Sequence, residues 1–356
     1  MKISTLPLFL LFPTLLYNCG TPAQQAKGTA KTAPEAIYAE SAAGEIAVVF
    51  ASCNDQDRPQ PLWKAILQNR PDLFIWGGDN VYADTADMQK MEADYQKIAD
   101  NPDYNALKKS TKIIGTWDDH DYGKNDAGRE WEHKDAAKNI LLNFLGTPKN
   151  APVRYRPGVY DTHTVQTAHG SIKFILLDTR YFRAPLKKSA KEGMRYEPWP
   201  EAESGTILGE AQWQWLQDEL EDSAPTFTVI VSSIQFLNNN HGWEKWGNHP
   251  TEVKKMEQVL ARAKANNIMF LSGDRHMAEF SVAKLETLPY PLIDFTTSGL
   301  THTWPTYATE ENKYRASNVV KQLNFGVLKF NLKTKAVTFQ IRGAGNFLYE
   351  EMVQQY

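Results

Sequence analysis

The chain has 356 residues, 42% hydrophobic and 23% charged, with a formal net charge of −3. That length supports one large core or two ordinary ones, and the near-neutral charge excludes the basic field that long nucleic acids require. With 10 Trp, 15 Tyr and 16 Phe, the chain is expected to have a well-packed interior and a partly aromatic cleft.

The N-terminus reads as an address. Met1-Lys2 gives a positive start, and Ile3 to Tyr17 is mostly apolar but broken by Pro7 and Pro13. Such a stretch falls short of a membrane span of about 20 residues and fits the apolar region of a secretory leader. Leu15-Leu16-Tyr17-Asn18-Cys19-Gly20 resembles a loose bacterial lipoprotein box, although Tyr17-Asn18 stands where small residues are preferred. The expectation is a signal peptide over 1–19, a lipid anchor on Cys19, and attachment to the bacterial cell envelope after export. Residues 20–44, rich in Ala, Thr, Gln, Lys and Pro, read as a flexible tether. Residues 45–356 read as one folded domain, with no repeat or second linker. The chain has two cysteines. With Cys19 lipidated, Cys53 has no partner within the chain, and a lone thiol in an oxidising compartment is expected to be buried or metal-bound.

The apolar patterning predicts a strand at 45–51, a helix near 60–69, a strand at 72–77, helices within 86–109, a strand at 111–117 and a helix near 133–145. Two antiparallel strands, 158–167 and 170–178, are joined at Ala168-His169-Gly170. Trp213, Leu216 and Leu220 set a helical stripe over 209–222. A strand at 226–232, a helix at 249–266 and a strand at 268–272 follow. The tail turns to strands at 279–285, 292–297, 325–332 and 335–342, the last two joined as a hairpin around Lys333-Thr334. Alternating strands and helices followed by extra strands predict an α/β fold, with two packed mixed β-sheets flanked by helices.

Five short apolar runs end in polar clusters. Ile46–Phe50 leads into Ser52-Cys53-Asn54, Leu73–Trp76 into Gly78-Asp79-Asn80-Val81-Tyr82, and Ile113–Trp117 into Asp118-Asp119-His120-Asp121. Phe227–Val231 leads into Ser232-Ser233, and Ile268–Leu271 into Gly273-Asp274-Arg275-His276. Doubly buried parallel strands read as such runs, and open α/β sheets bind ligands beyond the carboxyl ends of their strands. Ligand-type residues at one end of several strands therefore predict one shared polynuclear metal site. Three carboxylates and an imidazole over 118–121 would repel one another and desolvate poorly without cations. Tyr82 lies within reach of a metal held by Asp79, and phenolate ligation requires a strong Lewis acid such as Fe³⁺.

These motifs in this order resemble the calcineurin-like metallophosphoesterases. Ser52-Cys53, Gly78-Asp79-Asn80-Val81-Tyr82-Ala83-Asp84, the stretch from Trp117 to Asp126, Leu177-Asp178-Thr179-Arg180-Tyr181 and Gly273-Asp274-Arg275-His276 are similar to those of the alkaline phosphatase D (PhoD-like) family. The resemblance covers about residues 46 to 345 and implies a four-layer α/β/β/α sandwich. It implies that Asp79 bridges two metals, that Cys53 and Tyr82 bind an Fe³⁺, and that His276 completes that side. Asp119 stands where the family has an Asn ligand, and Asp274 where it has the first His of its last motif. The motif Val231-Ser232-Ser233-Ile234 lacks the usual His. These replacements shift the ligands of the second metal from nitrogen toward oxygen, which suits Ca²⁺ better than Zn²⁺. One or two Ca²⁺ are expected, with other divalent metals left open. Many relatives carry a β-sandwich ahead of the catalytic domain, and residues 20–44 are too short for one.

The implied chemistry is hydrolysis of phosphate mono- or diesters by metal-activated water, with His120 as proton donor to the leaving oxygen. Asn125, Arg180 and Arg275 are candidate substrate contacts, since guanidinium forks match phosphate. His241, Trp243, Trp246 and His249 read as cleft wall or packing, and His302 as a rim contact. The alternatives are a phospholipase-type or nuclease-like diesterase, a non-catalytic lipoprotein that binds metal or phosphate, and a structural adhesin.

Overall fold

The computed structural model describes Met1 and residues 38–41, 44–222, 224–306 and 310–356. The expected signal peptide, Cys19 and most of the tether lie outside the described residues. The first half runs β1 (Glu45–Ala51), α1 (Trp63–Gln68), β2 (Leu73–Gly77), α2 (Met88–Ala99), α3 (Pro102–Ser110), β3 (Lys112–Thr116), α4 (Asp119–Tyr122) and α5 (Lys134–Phe144). Then come β4 (Asp161–Thr167), β5 (Gly170–Leu176), the short β6 (Lys187–Lys188) and β7 (Tyr196–Glu197), α6 (Gly209–Glu221) and β8 (Phe227–Val231). The last part holds α7 (Pro250–Arg262), β9 (Ile268–Ser272), β10 (Ala278–Ala283), β11 (Leu292–Thr297), β12 (Phe325–Asn331), β13 (Ala336–Arg342) and β14 (Leu348–Gln355).

The strands form two six-stranded sheets, in the orders β14-β13-β12-β1-β2-β3 and β10-β11-β9-β8-β5-β4. In the first, β1, β2 and β3 run parallel while β12 pairs antiparallel to β1. In the second, β5, β8, β9 and β11 run parallel, with antiparallel β4 and β10 at the edges. Both sheets are mixed, as the patterning predicts. Val48, Phe50, Phe174, Met269 and Phe295 pack between them. The outer face of the first sheet is covered by α1, α2, α3 and α5 through Trp63, Tyr104 and Phe144, and that of the second by α6 and α7 through Trp213, Leu216 and Leu260. The result is the α/β/β/α sandwich.

Helix starts follow local chemistry. The Asp87 side chain accepts from the backbone N–H groups of Gln89 and Lys90 to cap α2, and Asn101 caps α3 just before Pro102. Pro250 opens α7, where its missing N–H costs nothing. Register then aligns the polar clusters. Ala51 lies opposite Trp76, and Trp76 opposite Gly115, so the segments after β1, β2 and β3 emerge side by side. Val231 and Leu271 pair likewise across β8 and β9. The Ser52 hydroxyl donates to the Thr297 carbonyl at 2.9 Å and that of Thr116 to the Leu177 carbonyl at 2.7 Å, stitching the two sheets together at this end.

Three features go beyond the patterning. The edge strand β14 and the small β6–β7 hairpin were not expected as strands, and the 118–121 cluster opens a one-turn helix. Residues 38–41 of the expected tether are fastened: the Tyr38 N–H donates to the Gln166 carbonyl at 2.7 Å, and Glu40 lies 2.8 Å from His169. Among the described residues no helix is long and apolar enough to cross a membrane.

Candidate metal centre

The ligand-type residues are presented by an unusual backbone. Cys53, Asp79, Asp274 and His276 all have positive φ, at 59°, 49°, 65° and 51°. Left-handed backbone costs most side chains about 1–3 kcal/mol each. The strands behind these turns are buried along nearly their whole length, and each buried large apolar side chain contributes about 1.5–3 kcal/mol, which offsets the strain. Glycines make the close approaches. Gly78, at φ 100°, would place a Cβ 2.7 Å from that of Asp118, and a Cβ on Gly273 would lie 2.6 Å from the Ser52 hydroxyl. Beneath the loops, Asp121 accepts from the Asp118 N–H at 2.7 Å, the Asn80 side chain at 2.6 Å and the Tyr95 hydroxyl at 3.0 Å. It is a buried strut that fixes the β2 and β3 loops to one another.

Two sets of donor atoms result, sharing Asp79. Cys53, Asp79 and His276 form one; Asp79, Asp119 and His120 form the other; within each set the ligand atoms lie within 4.8 Å of one another. The Cys53 sulfur is 3.6 Å from Asp79 Oδ2, and the Tyr82 hydroxyl is 3.2 Å from that oxygen and 2.9 Å from His276 Nε2. Tyr82 therefore joins the first set. Asp274 lines the same cavity outside either set of three, next to Arg275 and His276.

The electrostatics suit cations. Burial, with Asp119, Asp121 and Asp274 nearby, pushes the Asp79 carboxyl well above its usual range despite His120. Burial and Asp79 push up the Cys53 thiol and the Tyr82 phenol as well. Burial also raises Asp274 to about 7 and lowers His276 to about 3. Asp119 goes the other way: against burial, His120 and Arg180 and the N–H donors of Asp126 and Asn125 hold it well below the usual range. The first set is thus soft sulfur, imidazole, phenol and carboxylate with no protein cation among them, a donor group suited to a strong Lewis acid. The residues present fit a metal centre.

His120 sits beside this cluster, its ring centroid 4.1 Å from that of Tyr82 and its Nδ1 2.6 Å from Asp84 Oδ2. Burial opposes its charge, but Asp79, Asp119 and Asp84 outweigh that and raise it to about 11.

The cavity at the centre has a volume of about 350 Å³. Asn125 lines it and donates to Asp119 at 2.7 Å. Arg275 lines it too, held by Glu310 at 2.6 Å. Arg180, a candidate substrate contact by sequence, is not among the residues that line the cavity. It is fully buried, paired with Asp118 and at 2.6 Å with the lining residue Glu244, whose other oxygen is 2.9 Å from Arg183. Trp243 lines the cavity, whereas Trp246, His241 and His249 are buried packing. His302 is half-buried and does not line the cavity; its ring is 4.5 Å from that of His276 and 4.8 Å from that of Tyr82. Sequence reasoning missed Arg195, Glu244 and Trp304 as lining residues. The β6–β7 hairpin that carries Arg195 has no periodicity to betray it; the one local signal is the density of Lys and Arg over 187–195.

The fold has counterparts among known proteins. The family model of PhoD-like phosphatases matches residues 47–347, and the chain belongs to that family. Alkaline phosphatase D of Bacillus subtilis (strain 168) is 22% identical over 270 residues, covering 65% of this chain and 46% of the relative. The chain thus spans about half the length of the curated relative it matches. Among solved structures, PhoD superposes with a TM-score of 0.69 at 16% identity, over 90% of this chain and 71% of the other. A dimetal phosphatase from Danio rerio gives 0.52 at 13% identity, over 87% of this chain and 99% of the other. At these identities the structural likeness speaks to the fold alone.

Proposed function

We propose that this protein is a metal-dependent phosphoric ester hydrolase. The observation that carries the reading is the pair of donor sets that share Asp79, opening on a cavity with His120 and Arg275 in its wall. Cys53, Asp79, Tyr82 and His276 would hold a ferric ion. Asp79 and Asp119, with Asp274 beside them, would hold a harder cation such as Ca²⁺, since oxygen donors dominate that side. When bound, such ions act as Lewis acids on a phosphoryl oxygen and lower the pKa of water from about 16 toward about 7.

The chain's own groups supply the remainder. Asp84 holds His120 through Nδ1, which leaves Nε2 as the proton donor to the departing alkoxide. Arg275, fixed by Glu310, offers its guanidinium to the phosphoryl oxygens, and Asn125 keeps Asp119 in place. A protein that only sequestered metal or phosphate would have no use for the aligned Asp84–His120 pair, which favours catalysis over storage.

The test is hydrolysis of p-nitrophenyl phosphate and bis-p-nitrophenyl phosphate by purified protein, with Ca²⁺ and then with EGTA. Turnover of either ester that disappears with EGTA and returns with Ca²⁺ supports the reading, and the ratio of the two rates separates mono- from diesterase. No turnover of either ester at any metal loading would sink it. We further propose that the mature chain is lipid-anchored through Cys19 in the bacterial envelope. Metabolic labelling with palmitate that survives Cys19→Ala would overturn that.

A further inference from the structure

One corner of the cavity is built from two indoles. Trp243 and Trp304 line it with ring centroids 5.5 Å apart and planes at 86°. Both are fastened to the Asp274–His276 turn. The Trp304 backbone N–H donates to the His276 carbonyl at 2.8 Å, and the Arg275 guanidinium lies over the Trp243 ring at 5.8 Å. Glu310 locks the second indole, accepting from Trp243 Nε1 at 3.0 Å and from Arg275 at 2.6 Å. With Nε1 engaged by Glu310, what Trp243 offers the cavity is ring surface.

Packing alone does not account for this corner. The tryptophans that serve the core, Trp63, Trp76, Trp117, Trp213 and Trp246, are at most 1% exposed, whereas Trp243 and Trp304 are left partly exposed at the cavity. All other lining residues are polar or charged. A small hydroxylated alcohol gains little from two perpendicular indoles. A flat ring gains stacking on one and an edge contact from the other.

We infer that Trp243 and Trp304 form a specificity subsite for the alcohol half of the ester, and that the preferred substrates carry a flat, π-rich ring, aryl or heterocyclic, next to the phosphate. The inference rests on the phosphoesterase reading only for where the phosphate sits. Glu310 acts as a positioning residue that sets Trp243 and Arg275 against one another.

The experiment measures affinity rather than turnover. Phenylphosphonate and methylphosphonate, neither hydrolysable at a P–C bond, are titrated calorimetrically into the metal-loaded protein. The expected result is a preference for the phenyl compound of about five-fold, reduced toward unity in Trp304→Ala and largely retained in Trp304→Phe. Trp304→Leu, which keeps apolar bulk without a π face, carries the test should the alanine variant not fold. Equal affinities in the unmutated protein, no binding of either phosphonate, or equal weakening of both in the variants overturns the subsite. A phenyl preference in a protein that hydrolyses no p-nitrophenyl ester leaves the subsite standing and removes the hydrolase reading instead.

Discussion

Asp84 Oδ2 lies 2.6 Å from His120 Nδ1, and Asp84 reaches it from a backbone at φ 42°. Asp84 is thus held in a conformation that aims it at one imidazole nitrogen. His120→Ala should lower kcat by about 100- to 10,000-fold, the usual range for a lost general acid. Asp84→Asn should cost about ten-fold, because the ring keeps a partner but loses the carboxylate. Both variants should retain metal by elemental analysis; loss of metal in step with activity would make His120 a ligand rather than a proton donor.

Tyr82 tests the identity of the metal. A phenolate bound to ferric iron absorbs in the visible, so purified protein should be coloured and contain iron. Tyr82→Phe should bleach the colour, and Cys53→Ser should shift it while leaving the phenolate in place. A colourless, iron-free preparation with full activity would remove the ferric assignment and leave another metal at Cys53 and His276.

Arg180 should act on stability. Its guanidinium is fully buried between Asp118 and Glu244, and removing one partner of such a group costs about 3–5 kcal/mol because the others stay buried and unpaired. Arg180→Met should therefore lower Tm sharply in the metal-loaded protein. A variant with unchanged Tm and a raised KM would return Arg180 to the role of a substrate contact.

Buried histidines set an acid limit. Burial lowers His249 and His163 each to about 4, and both titrate near 6.5 in an unfolded chain. Between those values the unfolded chain binds more protons, so the stabilisation is complete above pH about 6.5 and is lost as pH falls toward about 4. For the fully buried His249 the effect is up to about 3 kcal/mol. His249→Gln should flatten the fall of Tm between pH 7 and pH 5 measured by calorimetry; an unchanged slope would exclude it as a source.

Much of this molecule is legible in its sequence because buried parallel strands leave a coarse signal. The bounds of β1, β9 and β11 match the predicted strands to the residue, and the polar clusters that follow β1, β2, β3 and β9 meet at one centre. What the sequence does not encode locally is direction. Arg180 and Arg275 both follow a strand and look alike as text, yet one turns into the ion-pair web beneath the loops and the other into the cavity. Arg195, Glu310 and Trp304 come from irregular segments, where neither period two nor period 3.6 marks them. The edge strand β14 escapes notice because its exposure does not follow polarity: Leu348 and Val353 face solvent beside Glu351 and Gln355.

The left-handed turns under Cys53, Asp79, Asp274 and His276 restrict what mutation can install there. Aspartate, asparagine and histidine tolerate that backbone far better than valine, isoleucine or threonine do. Those same three are oxygen and nitrogen donors, so drift at Asp79, Asp274 and His276 tends to swap one ligand chemistry for another before it abolishes ligation. The backbone acts as a sieve on sequence change, through which a centre of this kind can exchange one ion for another while its scaffold stays put.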